Sequence, residues 1–346
     1  MKTSFKLISL GLLLWACFSS LFYSKPAIPE KLSEYGFFKG EMNQLIGNDR
    51  LIPYELNSSL FSDYAHKARF LLLPNGAKVN FQTKDVLDFP EGSILIKNFY
   101  YYNNEQQPNE GRRILETRLL IHGKDGWKAY PYVWNEEQTD ANLEITGASI
   151  PVQFRNKKNQ LVEFTYEVPN INQCKGCHEV DGKMSPIGPS VRQLNKSIQY
   201  GAKSQNQLQH LKELGHLEVS DEALASAPKL VDYSNEKEAI DLRAKAYLDI
   251  NCAHCHQPQG PAKNSGLNLK WDNEQWVTYG FMKSPVAAGR GSGNFQYDIV
   301  PGKAKESILW FRMNSTDPGI MMPELGRTMV HKEGVELIRK WIDQLK

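Results

Sequence analysis

Four of the chain's five cysteines fall in two identical frames, Cys174-Lys175-Gly176-Cys177-His178 and Cys252-Ala253-His254-Cys255-His256. On a helical turn, positions i, i+3 and i+4 share one face. Two thiols on that face can add to the two vinyl groups of a haem, and the adjoining histidine then turns its imidazole to the iron. With five Cys and eight His in 346 residues, chance supplies about 10⁻³ such motifs per chain. A Cys₄ zinc ribbon separates its two pairs by about 15–20 residues, whereas residues 178–251 lie between these pairs. Zinc also leaves the histidine after each pair unexplained. Thioredoxin-like redox chemistry needs a βαβ setting that the sequence does not offer. The reading is two covalently attached c-type haems, held by Cys174, Cys177, Cys252 and Cys255, with His178 and His256 as iron ligands.

The remaining cysteine, Cys17, sits in a different kind of segment. Lys2 and Lys6 precede a largely apolar run from Ile8 to Tyr23, the pattern of an export signal. Leu14-Trp15-Ala16-Cys17 resembles a bacterial lipoprotein signal, in which Cys17 is lipidated after cleavage. An uncleaved apolar anchor and ordinary signal cleavage are the other two outcomes. All three put the remainder outside the cytoplasm, in the periplasm or attached to a membrane facing it. A net charge of +2 leaves no electrostatic footprint for nucleic acid. Too few cysteines are present for a disulfide scaffold.

Two kinds of element must position the motifs. From Arg69 onward the pattern is β: Arg69 to Leu73, the turn Pro74-Asn75-Gly76, then Lys78 to Thr83, read as a hairpin. Further β runs are 93–102, 114–121, 127–134, 143–146, 151–155 and 161–168, which suggests a sandwich or barrel. After Pro169 helical patterns take over. Helices are expected at 205–214, at 236–250 with Asn235 and Glu238 as a capping box, and at 334–345 with Val335, Ile338, Ile342 and Leu345 on one stripe. The fold class is therefore multidomain α+β, an N-terminal β-sandwich or barrel followed by α-helical haem modules. The expected division is signal or anchor 1–24, β-rich domain 25–169, first haem module 170–234 and second haem domain 235–346.

Residues 235–346 resemble class I cytochrome c in their order of helix, Cys-x-x-Cys-His, loop, Met321-Met322-Pro323, helix. That resemblance implies Met322 as the sulfur ligand opposite His256, with Met321 as runner-up. Gly266 to Leu269 resembles a stretch whose proline carbonyl orients the proximal imidazole, but Leu267 stands in the proline's place, so that bond is unassigned. His254 reads as a solvent-facing filler, and Arg290 as either a haem-propionate partner or a surface arginine.

The first motif has no following Met-Pro pair. Met184, His210, His216, His66 and Lys67 are candidates for its sixth ligand, alongside an iron with none. Ser185-Pro186-Ile187-Gly188-Pro189 offers a carbonyl for His178. Leu60-Phe61-Ser62-Asp63-Tyr64-Ala65, Glu116-Thr117-Arg118-Leu119-Leu120, Tyr132 to Asp140 and Asn172 to His178 together resemble a family of secreted bacterial dihaem c-type cytochromes with an N-terminal β-rich domain, over roughly 50–346. The resemblance implies an electron-transfer protein with redox partner proteins and names no substrate. A dihaem peroxidase- or oxidase-like enzyme with an open iron position at the first haem is the alternative. In a third reading, Trp127, Tyr130, Tyr132 and Trp134 form an aromatic binding surface.

Overall fold

The computed structural model describes residues 28–346; the segment read as an export signal, with Cys17, lies outside them. Strands β1 (Leu51–Pro53), β2 (His66–Leu72), β4 (Ile94–Tyr102), β5 (Arg112–Gly123), β6 (Gly126–Trp134) and β7 (Ala141–Leu143) form one antiparallel sheet in that order. Strand β3 (Val79–Asn80) lies outside it. Alternation drives the sheet: side chains two apart share a face, so each strand sends one set of apolar residues each way. One face packs Phe70, Ile96, Leu119, Tyr132 and Trp134 under Leu32 and Phe37 of the N-terminal segment. The opposite face packs Leu71, Leu95, Leu120 and Ala129 against Cys174, Val191 and Leu208. A hairpin of β8 (Ala148–Arg155) and β9 (Leu161–Val168) covers a further patch through Phe99, Tyr101 and Leu115.

The helices are short. α1 (Ile171–Cys177) carries the first motif, α2 (Ile240–Leu248) leads to the second, and α3 (Lys332–Gln344) lies near the C-terminus. α2 and α3 share a core with Tyr279 and Leu269. They approach closely at Gly334, where any Cβ would overlap the Tyr247 ring. Among the described residues, no helix is long and apolar enough to cross a membrane.

The expected fold class is overturned. The molecule is β-rich, built on one open six-stranded antiparallel sheet rather than a sandwich or barrel. The α-helical cytochrome c-like modules are not found; Lys31–Lys346 form one compact unit. The reason is local. Residues 235–239 form turns, with Glu238 N–H donating to the Asn235 carbonyl, so the helix starts at Ile240 without the expected capping box. Of the expected stripe, Ala246 and Ile250 are buried, along with Ala244, Tyr247 and Leu248, while Leu242 is exposed. The stripe of α3 holds for Val335, Ile338 and Ile342. The strand expected to return from Pro74-Asn75-Gly76 does not pair with β2; Val79 pairs instead, in parallel, with Leu217. The turn forms, with Ala77 N–H donating to the Pro74 carbonyl, but the chain leaves the sheet after it.

Candidate functional site

Asn170 begins α1 with a reciprocal cap: its side chain accepts the Gln173 N–H at 2.8 Å, and the Gln173 side chain accepts the Asn170 N–H at 2.9 Å. Such a cap lets a seven-residue helix form without a preceding helical run. It buries Cys174 against the sheet. His178 follows as C-cap, and its N–H donates to the Cys174 carbonyl at 3.0 Å. Its ring Nδ1 lies 2.9 Å from the Ser185 carbonyl. A carbonyl only accepts, so Nδ1 carries the proton and Nε2 keeps its lone pair. The carbonyl expected from the Ser185–Pro189 stretch is that of Ser185, the residue before Pro186.

The second motif sits on a π-helical turn, Asp249–Ala253, that continues α2. π-Turns recur at functional sites because they re-aim side chains within a helix. Asp249 takes a salt bridge from Arg192 at 3.1 Å, and Asn251 accepts the Phe61 N–H at 2.8 Å. His256 Nδ1 lies 3.0 Å from Ser265 Oγ. That hydroxyl donates to the Ala262 carbonyl at 2.7 Å, so it accepts from His256, which is again the Nδ1–H tautomer. Ser265 thus supplies the bond that the sequence left unassigned. Gly260 is required nearby, since a Cβ there would run into the Cys255 backbone.

Burial pushes the His178 imidazole down to about 3 and that of His256 down to about 4. Both rings are therefore neutral at neutral pH, the form that ligates a metal.

The two motifs touch. Cys177 Sγ, Cys255 Sγ and a His254 ring nitrogen all lie within 4.8 Å of one another. A hydrogen bond from the Cys255 thiol pulls Cys177 down to about 4 and pushes Cys255 up. His254 is not the solvent-facing residue expected: its Nδ1 is buried without a hydrogen-bond partner. Three such donors suit a soft divalent metal. The same sulfurs suit thioether attachment, and the two uses exclude each other.

A cavity of about 410 Å³ is lined by Cys252, Cys255, His256, Met322 and Pro323. Met321 is buried in the core instead. The Met322 loop is fixed from both sides. Arg327 donates to the carbonyls of Met322 (2.8 Å), Ser315 (2.9 Å) and Met329 (3.0 Å). Buried Asp63 accepts from the Thr328 and Met329 N–H groups at 2.8 and 2.7 Å. Phe61 stacks on His331 at 4.2 Å. The Leu60–Ala65 phrase therefore clamps the C-terminal segment to the sheet.

A second cavity, of about 140 Å³, is lined by Cys174, Cys177 and His178 on one side and Arg69, Lys97 and Arg118 on the other. Strand register makes these three cations direct cross-strand neighbours, Arg69↔Lys97 and Lys97↔Arg118. Lys67 and Glu116 occupy the next row. Glu116, fully buried, takes two bonds from Arg118 at 2.7 and 2.8 Å and one from Tyr166 at 3.1 Å. Lys97 and Arg118 lie over the Phe99 ring, at 4.7 and 5.0 Å. Burial and the neighbouring cations push Lys97 well down, and Lys67 falls to about 7. Unpaired buried charges cost several kcal/mol each, so this row is expensive. Sequence reading missed it. The signal was parity: Arg69, Lys97 and Arg118 stand two residues from Leu71, Leu95 and Leu120, on the face that packs inward.

The other ligand candidates are engaged elsewhere. His66 pairs with Glu105 at 2.8 Å, His210 stacks on Tyr200 at 3.6 Å, and His216 bonds the Ala77 carbonyl at 3.0 Å. Met184 packs at the edge of the sheet's core. Arg290 is exposed and pairs with Asp317. Tyr132 and Trp134 are core residues, and Trp127 and Tyr130 are half-buried, so they form no open aromatic surface. No family model, curated protein or solved structure matches the chain.

Proposed function

We propose that the chain is an exported dihaem c-type electron-transfer protein. Cys174 with Cys177, and Cys252 with Cys255, attach the haems. His178 and His256 would ligate the irons, and Met322, on the wall of the cavity that His256 lines, would supply a sulfur ligand to the second. The single observation that carries the reading is the state of the two histidines. Each is neutral, fixed as the Nδ1–H tautomer, and beside paired thiols, so each Nε2 is prepared as a metal ligand. The haems would supply reversible one-electron chemistry. The chain supplies the anchoring thiols, the ligand tautomers, the buried surroundings and a contact between the two attachment segments at Cys177 and Cys255. Redox partner proteins deliver and receive the electrons.

The dihaem-enzyme reading has one observation in its favour. His66, His210 and His216 are turned to other partners, which leaves the first iron a candidate for an open position.

The test is mass spectrometry and the pyridine haemochrome spectrum of protein matured in a host that attaches c-type haem. Two haems per chain are expected. Free thiols with one equivalent of zinc would replace this reading with the Cys177–His254–Cys255 metal site. Carbon monoxide added to the reduced protein then separates carrier from enzyme: binding at one haem favours the enzyme, and none favours the carrier.

A further inference from the structure

Among the cations on the inner face of the sheet, Lys67, Arg69 and Lys97 have no carboxylate within ion-pair distance among the described residues. Arg118 has one in Glu116, and Arg113 has one in Glu136. Arg69 is 8% exposed, lines the cavity beside His178, and keeps a buried guanidinium nitrogen with no hydrogen-bond partner. Folding a strand register that aligns three cations in one row works against stability unless something compensates for their repulsion. Hydrophobic residues at the same parity would have continued the apolar face formed by Leu71, Leu95 and Leu120.

We propose that the Arg69–Lys97–Arg118 row is an anion-binding site whose occupant presents carboxylate or oxyanion oxygens beside Cys174 and His178. The guanidinium of Arg69 offers planar, forked donors suited to such oxygens, and Lys97 adds a point charge between the two arginines. Arg118 is partly neutralised by Glu116, which fixes its position and leaves Arg69 and Lys97 as the uncompensated pair. The cavity, at about 140 Å³, is about ten times the volume that holds one water. Two sources have the required chemistry: a propionate of the haem attached at Cys174 and Cys177, or a small diffusible oxyanion, which would be the substrate class of the enzyme reading. The anion site itself stands without any haem; its link to electron transfer rests on the function proposed above.

The experiment is calorimetric titration of the purified full chain with inorganic phosphate, at ionic strength held constant with chloride, after haem content has been measured. A diffusible occupant predicts one phosphate site in the wild-type protein, weakened about tenfold or more in Arg69→Gln and Lys97→Gln and unchanged in Arg290→Gln. A propionate occupant predicts no phosphate binding to the haem-loaded protein and one site in Cys174→Ala/Cys177→Ala, which lacks the first haem. If that double variant does not fold, resonance Raman of the haem-loaded chain decides: Arg69→Gln and Lys97→Gln shift the propionate-bending band when a propionate is the occupant. Absence of phosphate binding in both proteins, or absence in the wild type with an unshifted propionate band, overturns the proposal. A chain that carries no haem but binds phosphate through Arg69 and Lys97 would sink the dihaem reading and leave the anion site standing.

Discussion

The same five-residue motif occurs in two settings that meet at Cys177 and Cys255 and at one cavity, yet differ in their support and their charge. The first lies on a self-capped helix pressed against a sheet, facing a row of cations across a small cavity. The second lies on a π-turn between two helices, facing a larger cavity with a thioether on its wall. On the function proposed above, the attachment chemistry would be the same in both. What differs is the charge and the donor atoms opposite the histidine, and these set the potential and the reactivity of a bound iron. On that reading, the second setting would favour a filled coordination sphere and the first a charged guest.

The comparison breaks most completely when one motif is removed. Cys252→Ala/Cys255→Ala should lower haem content from two per chain to one and leave the first haem's spectrum in place, as read by the pyridine haemochrome assay. Loss of both haems would mean that the settings are not independent. A smaller change tests the donor opposite His256. Met322→Ala should abolish the sulfur-to-iron charge-transfer band and lower one midpoint potential on the order of 100 mV, with the other held constant. An unchanged spectroelectrochemical titration would remove Met322 from the coordination sphere.

The pH dependence of stability sharpens the comparison at His331, which lines the cavity shared by both motifs. Burial holds its pKa down to about 4, against an unfolded value near 6.5. Between these values the unfolded chain binds more protons, so stability is full above about pH 6.5 and is lost as pH falls towards 4. Two and a half units correspond to about 3 kcal/mol. His331→Phe should lessen the acid loss of denaturant-measured stability across that window, with His178 and His256 contributing the remainder, and an equally steep acid loss in the variant would assign it to other groups. The smallest effect is expected at Ser265. Ser265→Ala removes the acceptor for His256 Nδ1–H, and a hydrogen bond of about 1 kcal/mol is equivalent to about 40 mV in a one-electron potential. Voltammetry should find that shift at the second haem alone.

Local features were readable and long-range ones were not. The strands 94–102, 126–134 and 161–168 follow from alternation, and the two motifs follow from spacing within five residues. The helical modules were misread because short apolar recurrences around residues 236–250 fit a helix whose first turn does not form and whose expected stripe is broken by exposed Leu242. Arg69, Lys97 and Arg118 become neighbours only through pairing across three strands. Ser265 reaches His256 only through the fold of the loop between them, which spacing does not specify. His254 looked like filler because contact between the motifs depends on how the 73 residues between them fold.

Asp63 has a consequence for timing. Its carboxylate holds Thr328 and Met329 across a separation of about 265 residues in the chain, so the closure entropy of nearly the whole polypeptide must be met before that clamp can form. The loop bearing Met322 is therefore expected to mature after the sheet that presents Asp63. In refolding experiments, sulfur coordination at the second iron becomes a reporter of completion, lagging behind the appearance of β-structure, and Asp63→Asn should lengthen the lag more than it slows the sheet.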